Sequence, residues 1–229
     1  CIVGVLNTSL PFFLVTWAQQ TLSSSMGVIL TETTPFFSLL FAHYLLPGER
    51  MNANKGMGLV FGFVGVVCLS VPSLRGWGGL SRLLPQAAVI MAASCYALCL
   101  IVLKRHLSHL PSLYIAGSTL TVGAIASLPC VLWWDASSLQ LWRYSGATLL
   151  MVSVLSLVHT TVAYFLFYRL VESWGPRTSL VAYVMPLVGT TLGVLFLHEQ
   201  LSFLFVLGGI LILLGMLFVQ QKIRVWNEV

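Results

Sequence analysis

Residues 35–65 read PFFSLLFAHYLLPGERMNANKGMGLVFGFVG, and residues 186–215 read PLVGTTLGVLFLHEQLSFLFVLGGILILLG. Each begins at a proline and runs through an apolar stretch to a glutamate. Each then keeps the spacing Glu-x8-Gly-x6-Gly, as Glu49, Gly58 and Gly65 in the first and Glu199, Gly208 and Gly215 in the second. Upstream the match continues at an offset of 151, which lays Phe13 on Tyr164, Trp17 on Tyr168 and Pro35 on Pro186. Past the loop the offset is 150, so the first copy has a turn longer by one residue. A membrane chain built from an internal repeat is most often a transporter, with its site where the copies meet.

The composition places this repeat in a bilayer. Hydrophobic residues make up 58% of the chain and charged residues 7%, against about 25% charged in a soluble domain. That leaves too few charges to cover a surface facing water. Eight apolar segments are long enough to cross a membrane as helices: 2–19, 22–46, 54–73, 84–104, 111–134, 146–171, 177–197 and 202–221. Runs such as Phe203–Val219 do not alternate polar with apolar, which argues against a β-barrel. The expected fold is therefore all-α, a polytopic transmembrane helix bundle.

The net charge of +5 is a topology signal and not a nucleic-acid signal. If helices alternate in direction, Arg50, Lys55, Lys104, Arg105, Arg169, Arg177, Lys222 and Arg224 share one side, against Arg75, Arg82 and Arg143 on the other. The positive-inside rule assigns the larger set, and with it the C-terminus, to the cytoplasm. The five cysteines show no zinc-type spacing with histidine. Cys68, Cys95, Cys99 and Cys130 read as small buried hydrophobes. No G-x4-G-K-[ST] motif is present for nucleotide binding, and no clustered His and acidic residues suggest a membrane-embedded enzyme. Neither a cofactor nor a metal is expected.

Segments 2–19, 22–46 and 54–73 match 146–171, 177–197 and 202–221, whereas 84–104 and 111–134 have no earlier partners. A period of about 150 residues corresponds to five helices. The reading is a ten-helix protein of which eight helices are present, with an N-terminal truncation. Residues 1–73 hold the last three helices of a first repeat, and residues 74–229 a complete second one. Five is odd, so the two copies lie inverted relative to each other.

Several stretches carry a family resemblance: Leu6-Asn-Thr-Ser-Leu-Pro-Phe-Phe-Leu-Val-Thr-Trp-Ala18, Thr33-Thr-Pro-Phe-Phe-Ser-Leu-Leu-Phe-Ala-His43, Gly48-Glu-Arg50 and Gly58 to Val67. With Pro186, Gly193, His198-Glu-Gln-Leu201 and Gly208, they resemble the EamA-type members of the drug/metabolite transporter superfamily. The resemblance implies two inverted five-helix repeats, cytoplasmic termini, and movement of small polar metabolites such as amino acids, amines or nucleosides. It implies residence in a bacterial inner (plasma) membrane, with lipid and a small-molecule substrate as partners, no nucleic acid, and a homodimer left open.

Within this frame Glu32 is the acidic residue placed well inside a predicted helix. A charge at the centre of a spanning helix costs roughly 2.5–3.5 kcal/mol on insertion scales, so Glu32 is expected to face the bundle interior. It reads as a cavity carboxylate for a cationic substrate group or a coupling proton, or as a neutral acid hydrogen-bonded within the bundle. The resemblance implies an apolar or amide side chain at this place, which makes Glu32 a specificity feature of this chain. Tyr183 is its repeat partner and a candidate for the same cavity. His159, with repeat partner Thr8, is a candidate substrate contact, followed by Asn7, Tyr164, Trp17 and Tyr96. Trp17, Tyr168 and Trp174 also fit an interfacial aromatic belt. Glu49 and Glu199 each precede a helix, where a carboxylate gains about 0.3–1 kcal/mol from the dipole; a structural role is favoured over a gating one. Gly58-x3-Gly62 and Gly189-x3-Gly193 suggest close helix contacts. Pro35 and Pro186 suggest helix interruptions facing a cavity.

The charge asymmetry makes a topological prediction. With single cysteines and a membrane-impermeant reagent on intact cells, Ser138→Cys is labelled and Lys222→Cys is not. Labelling at 222 but not at 138 would reverse the assignment.

Overall fold

The computed structural model describes residues 1–46, 51–74, 79–107, 110–134, 144–163, 166 and 181–220; within these, the side chains of 72–74, 79–82, 112, 130, 133–134, 159–161, 181–183 and 220 are left out. The described residues are helical, with no strand among them. In chain order the helices are α1 (Ile2–Gly4), α2 (Leu10–Ala18), α3 (Ser24–Thr31), α4 (Thr34–Leu45), α5 (Ala53–Leu74), α6 (Gly79–Val102), α7 (Ser112–Trp134), α8 (Gly146–Val154), α9 (Val181–Leu197) and α10 (Phe203–Gln220). Three stretches wind more loosely as π-helix: Val5–Ser9, Leu103–Leu107 and Leu155–Val162. Grouped into spans, these elements fall on the eight segments expected from hydropathy. Ser24–Leu45, Ala53–Val71 and Leu83–Leu107 are each long and apolar enough to cross a membrane, and five further apolar helices are shorter. The protein is an all-α polytopic bundle of membrane helices.

Polar residues at the helix starts set the boundaries. Ser23 accepts a hydrogen bond from the N–H of Met26 at 3.3 Å, Asn52 from Lys55 at 2.8 Å, Ser145 from Thr148 at 3.2 Å and Ser202 from Phe205 at 3.1 Å. Each cap satisfies an N–H that the first turn leaves free. Large apolar side chains such as Phe203, 78% exposed, and Phe196, 74% exposed, suit a lipid environment and would be untenable in water.

The chain divides into two compact units. One comprises Cys1–Ser9 and His109–Ser179. There α7 packs on the π-helical stretch Val5–Ser9. Thr8 is buried and donates to the carbonyl of Thr119 at 3.4 Å, while Ser127 donates to Ser9 at 3.1 Å. The other unit comprises Leu10–Ser108 and Leu180–Val229. Helix α6 lies at its centre, packed on α2, α3, α4 and α5. Ala88, Ala92, Ala93, Cys95, Ala97 and Cys99 are all buried on it; these small side chains let neighbouring backbones approach, as membrane packing requires. Cys95 and Cys99 are thus the buried hydrophobes the sequence suggested.

The most extensive contact among the described helices is between α5 and α10, and it is symmetric. A Cβ added at Gly58 would fall 2.7 Å from the carbonyl oxygen of Gly215 and 2.7 Å from Val219. A Cβ at Gly208 would fall 2.7 Å from the carbonyl oxygen of Gly65 and 2.8 Å from Leu69. Likewise Gly65 faces Gly208 and Ile212, while Gly215 faces Gly58 and Gly62. Each of these contacts maps onto another when 58, 62, 65 and 69 are exchanged with 208, 212, 215 and 219, the offset of 150 seen in the sequence. Rising numbers in one helix meet falling numbers in the other, so the pair is antiparallel. A two-fold rotation that swaps two antiparallel helices has its axis perpendicular to both. For helices that cross a bilayer, that axis lies in the membrane plane, as in an inverted repeat.

The fit at the two-fold leaves no room for a methyl group against a backbone carbonyl. Gly65→Ala and Gly208→Ala should each destabilise the protein by about 1–3 kcal/mol. Gly56, on the same α5, has nothing within 4 Å of the added Cβ, and Gly56→Ala should be neutral or slightly stabilising. Thermal unfolding in detergent checks the contrast; equal effects at all three positions would contradict the close contact.

Candidate functional site

The span Ser24–Leu45 is broken in its first half. Helix α3 ends at Thr31, Glu32 and Thr33 form a turn, and α4 resumes at Thr34 with Pro35 in its first turn. Pro35 has no N–H to give to the Thr31 carbonyl four residues back. The hydroxyl of Thr34 supplies that bond instead, at 2.7 Å. Thr33 donates to the Leu30 carbonyl at 2.7 Å and Thr31 to the Gly27 carbonyl at 2.8 Å. Three threonine hydroxyls therefore shield the carbonyls around the break, as an interruption at membrane depth requires. Pro186 behaves differently, since α9 continues through it; the interruption expected there is absent.

Glu32 stands at the break, about 12 Å along the span from Ser24. Glu32 is half-buried and lines a cavity of about 200 Å³. The walls are Ile29 of α3; Pro186, Leu187, Thr190 and Thr191 of α9; Leu201 of the following turn; and Phe205, Val206, Gly209, Ile210, Ile212 and Leu213 of α10. Glu32 is the charged group in this lining, and Thr190 and Thr191 are its other polar side chains. Thr191 already donates to the Leu187 carbonyl at 2.7 Å.

A second cavity occupies the repeat-related place and shows what is particular about the first. It measures about 70 Å³ and is lined by Thr33, Phe36, Phe37, Leu40, Leu59, Gly62, Phe63, Val66 and Ile90. Phe36, Leu40, Leu59, Gly62 and Phe63 correspond to Leu187, Thr191, Gly209, Ile212 and Leu213 of the larger cavity. Exchanging Phe36 for Leu187, Leu59 for Gly209 and Phe63 for Leu213 removes bulk, exchanging Gly62 for Ile212 adds some back, and exchanging Leu40 for Thr191 adds a hydroxyl. One repeat thus fills the space between its last two helices with aromatic side chains, while the other leaves it open beside a carboxylate.

The cavity walls are tied together at one end by Glu199. Its Oε1 accepts from the backbone N–H of Ser24 at 2.7 Å and its Oε2 from that of Ser25 at 3.1 Å. The helix-dipole role expected for Glu199 is present, but on α3 and not on the helix that follows it. Together with the Ser23 cap, this satisfies the first three free N–H groups of α3. His198 adopts the left-handed conformation, with φ of 53°, and the N–H of Glu199 folds back onto the Gly193 carbonyl at 3.2 Å. That turn aims the carboxylate at α3. A Cβ at Gly193 would lie 2.5 Å from Ser25 Oγ and 2.7 Å from Glu199 Oε2, and one at Gly189 would lie 3.0 Å from Val28. The Gly189-x3-Gly193 face is therefore the close contact with α3 that its spacing suggested.

Of the other candidate residues, Asn7 lies in the π-helical stretch Val5–Ser9 and is half-buried. Pro11, four residues on, lacks the N–H that would keep an α-helical register with Asn7, and π-bulges recur at functional sites. The backbone of His159 lies in the matching stretch Leu155–Val162 of the second copy, so both repeats deform at the same place. Val162 stands there in place of proline, and nothing in the structure explains the second deformation. The side chains of His159 and Tyr183, and all of Tyr164, lie outside the described residues, as does Glu49. Tyr183 is placed by its backbone one turn before Leu187 on α9. Trp17, near the end of α2, is 43% exposed, which suits the interfacial belt. Tyr96 is half-buried on α6, and neither aromatic lines the Glu32 cavity. Thr190, Thr191 and the Glu199 clamp escaped sequence reasoning. The repeat could have flagged the threonines, because they replace Leu39 and Leu40.

Comparison with known proteins places the chain in a family. The EamA-like transporter family matches residues 1–71 and 84–220. The chain is 27% identical over 203 residues to an uncharacterized transporter, YoaV, of Bacillus subtilis (strain 168), covering 88% of this chain and 68% of the relative. It is also 27% identical over 222 residues to the uncharacterized transporter YvbV of the same organism, covering 96% and 70%. A crystal structure with 18% identity superposes with a TM-score of 0.61 over 100% of this chain and 76% of that one; this likeness concerns the fold alone.

Proposed function

The chain belongs to the EamA-like transporter family and is an integral membrane protein, and from that premise we propose that it is a secondary transporter of small polar metabolites bearing an amino group. The observation that carries this reading is one carboxylate at a helix break, facing a cavity whose other walls are apolar apart from two threonines. A protonated amine satisfies a buried carboxylate at close range, where the low dielectric strengthens the attraction. In the absence of substrate, a proton can take its place. Binding and proton exchange at one carboxyl would couple the two by competition.

The two-fold between α5 and α10 supports extending the inversion to whole repeats, residues 1–73 and 74–229. Alternating access then follows as rocking of the repeats around a fixed site. The proposed setting is a bacterial inner membrane with the C-terminus in the cytoplasm, from the Lys/Arg asymmetry. The proposed partners are the substrate and lipid, with neither cofactor nor nucleic acid. The repeat favours a transporter over a non-transporting structural membrane protein, because inversion supplies two equivalent gates; a membrane-embedded enzyme would call for clustered His and acidic residues. Solute flux that survives a chelator separates this from a metal-dependent membrane enzyme.

The test is uptake into vesicles of labelled amino acids, amines and nucleosides, with and without a pH gradient. Glu32→Gln preserves shape and hydrogen bonding but cannot titrate or hold a charge. Transport of amine-bearing solutes should fall about tenfold or more, the equivalent of losing one charge-assisted hydrogen bond, and any residual flux should lose its pH dependence. Protein abundance in the membrane should stay near normal. An unchanged pH profile in Glu32→Gln would make Glu32 a structural residue.

A further inference from the structure

Glu199 holds two cavity walls to each other. Its carboxylate belongs to the turn between α9 and α10, and its partners are the first two N–H groups of α3, whose far end leads to Glu32. Leu201, two residues beyond Glu199, lines the cavity. We propose that Glu199 is a positioning residue acting as a latch. Bonded to Ser24 and Ser25 it closes the Glu32 cavity on the side of the 198–202 turn, and its release opens the cavity to that side. The proposal rests on the alternating-access reading above.

Three features distinguish a latch from a permanent cap. First, both partners are polar and remain satisfied by water once parted, unlike the apolar contacts along α5 and α10. Second, the closed state carries its own opposition. Ser25 is fully buried, and its Oγ has no hydrogen-bond partner among the described residues; such a hydroxyl gains a partner when water is admitted. His198 sits at φ of 53°, a conformation uncommon outside glycine, in the turn that aims the carboxylate. Orphaned groups and left-handed residues of this kind gather at switch regions. Third, the close approach depends on Gly193, since any Cβ there would meet both Ser25 Oγ and Glu199 Oε2.

The latch can be broken from either half. Glu199→Ala removes the acceptors. Ser24→Pro removes one donor while keeping the helix start, because proline is favoured at the first helical position and Ser23, with φ of −65° and ψ of 151°, already has the conformation a residue before proline prefers. The experiment uses the full chain with its native cysteines replaced and a Thr190→Cys reporter in the cavity. A membrane-impermeant maleimide is applied in turn to each face of sealed vesicles. Gln200→Cys, in the exposed turn, identifies the face on which the latch lies. Both latch variants should raise the labelling rate of the reporter from that face by about tenfold or more, as expected for loss of a hydrogen bond to a charged group, and leave the rate from the other face unchanged. Glu199→Gln, which keeps one acceptor oxygen, should fall between. Rates unchanged in Ser24→Pro, or raised equally from both faces, would overturn the latch and leave Glu199 a structural cap. If Glu199→Ala does not reach the membrane, Ser24→Pro decides alone. Labelling requires no substrate, so it stands apart from the result for Glu32→Gln.

Discussion

Backbone-to-backbone contact between α5 and α10 is the constraint from which the larger of the two units takes its form. Lipid supplies no hydrophobic drive between membrane helices, so they adhere by fit. Four glycines allow the carbonyls of Gly58, Gly65, Gly208 and Gly215 to lie where side chains would otherwise stand. Because the contact is self-complementary across the repeat, one spacing, Gly-x6-Gly, serves both sides of it. The adjoining side chains obey the same exchange: Val219 lies against Gly58 as Leu69 lies against Gly208. Phe36 of α4 also reaches this contact, beside Gly62 and Gly215, so the scaffold touches the helix that follows the break.

On that scaffold the two copies diverge in the grooves beside their last two helices. Between α4 and α5 the groove is filled by Phe36, Phe37 and Phe63. Between α9 and α10 it is left open, with Glu32 contributed by the other repeat. The carboxylate is tolerated because it sits at a break whose carbonyls are covered by threonine hydroxyls and because its side chain faces a cavity. An uninterrupted helix facing lipid would offer neither. Glu199 links the same α3 to the α9–α10 turn, so both acidic side chains act on one short helix, one at each end.

Periodic features were legible in the sequence. The spans, the duplication, the close contacts of the glycine pairs and the burial of Cys95 and Cys99 all follow from spacing and residue size. The placement of Glu32 beside a cavity was legible because a carboxylate inside an apolar segment has few tolerable surroundings. The partner of Glu199 was not, since it lies 175 residues away in the chain and local pattern points only to the helix that comes next. The π-helical stretches were equally hidden: Pro11 could have hinted at Val5–Ser9, but Leu155–Val162 has no proline at the equivalent place. Continuity of α9 through Pro186 shows that proline alone does not break a membrane helix. The break at Glu32–Thr33 joins Pro35 with three threonines, Thr31, Thr33 and Thr34, whose hydroxyls compete for the helix carbonyls.

The most direct test of inversion uses a pair related by the proposed two-fold. Phe61 stacks on Phe218 with centroids 5.5 Å apart. Exchanging 61 with 211 and 218 with 68 makes its repeat-related counterpart the pair of native Cys68 and Leu211. With the other cysteines replaced, Leu211→Cys should be bridged to Cys68 by a short bifunctional thiol reagent in intact membranes, and Phe218→Cys should not. Bridging from 218 and not from 211 would mean that the two copies run parallel, and the inverted account would be wrong.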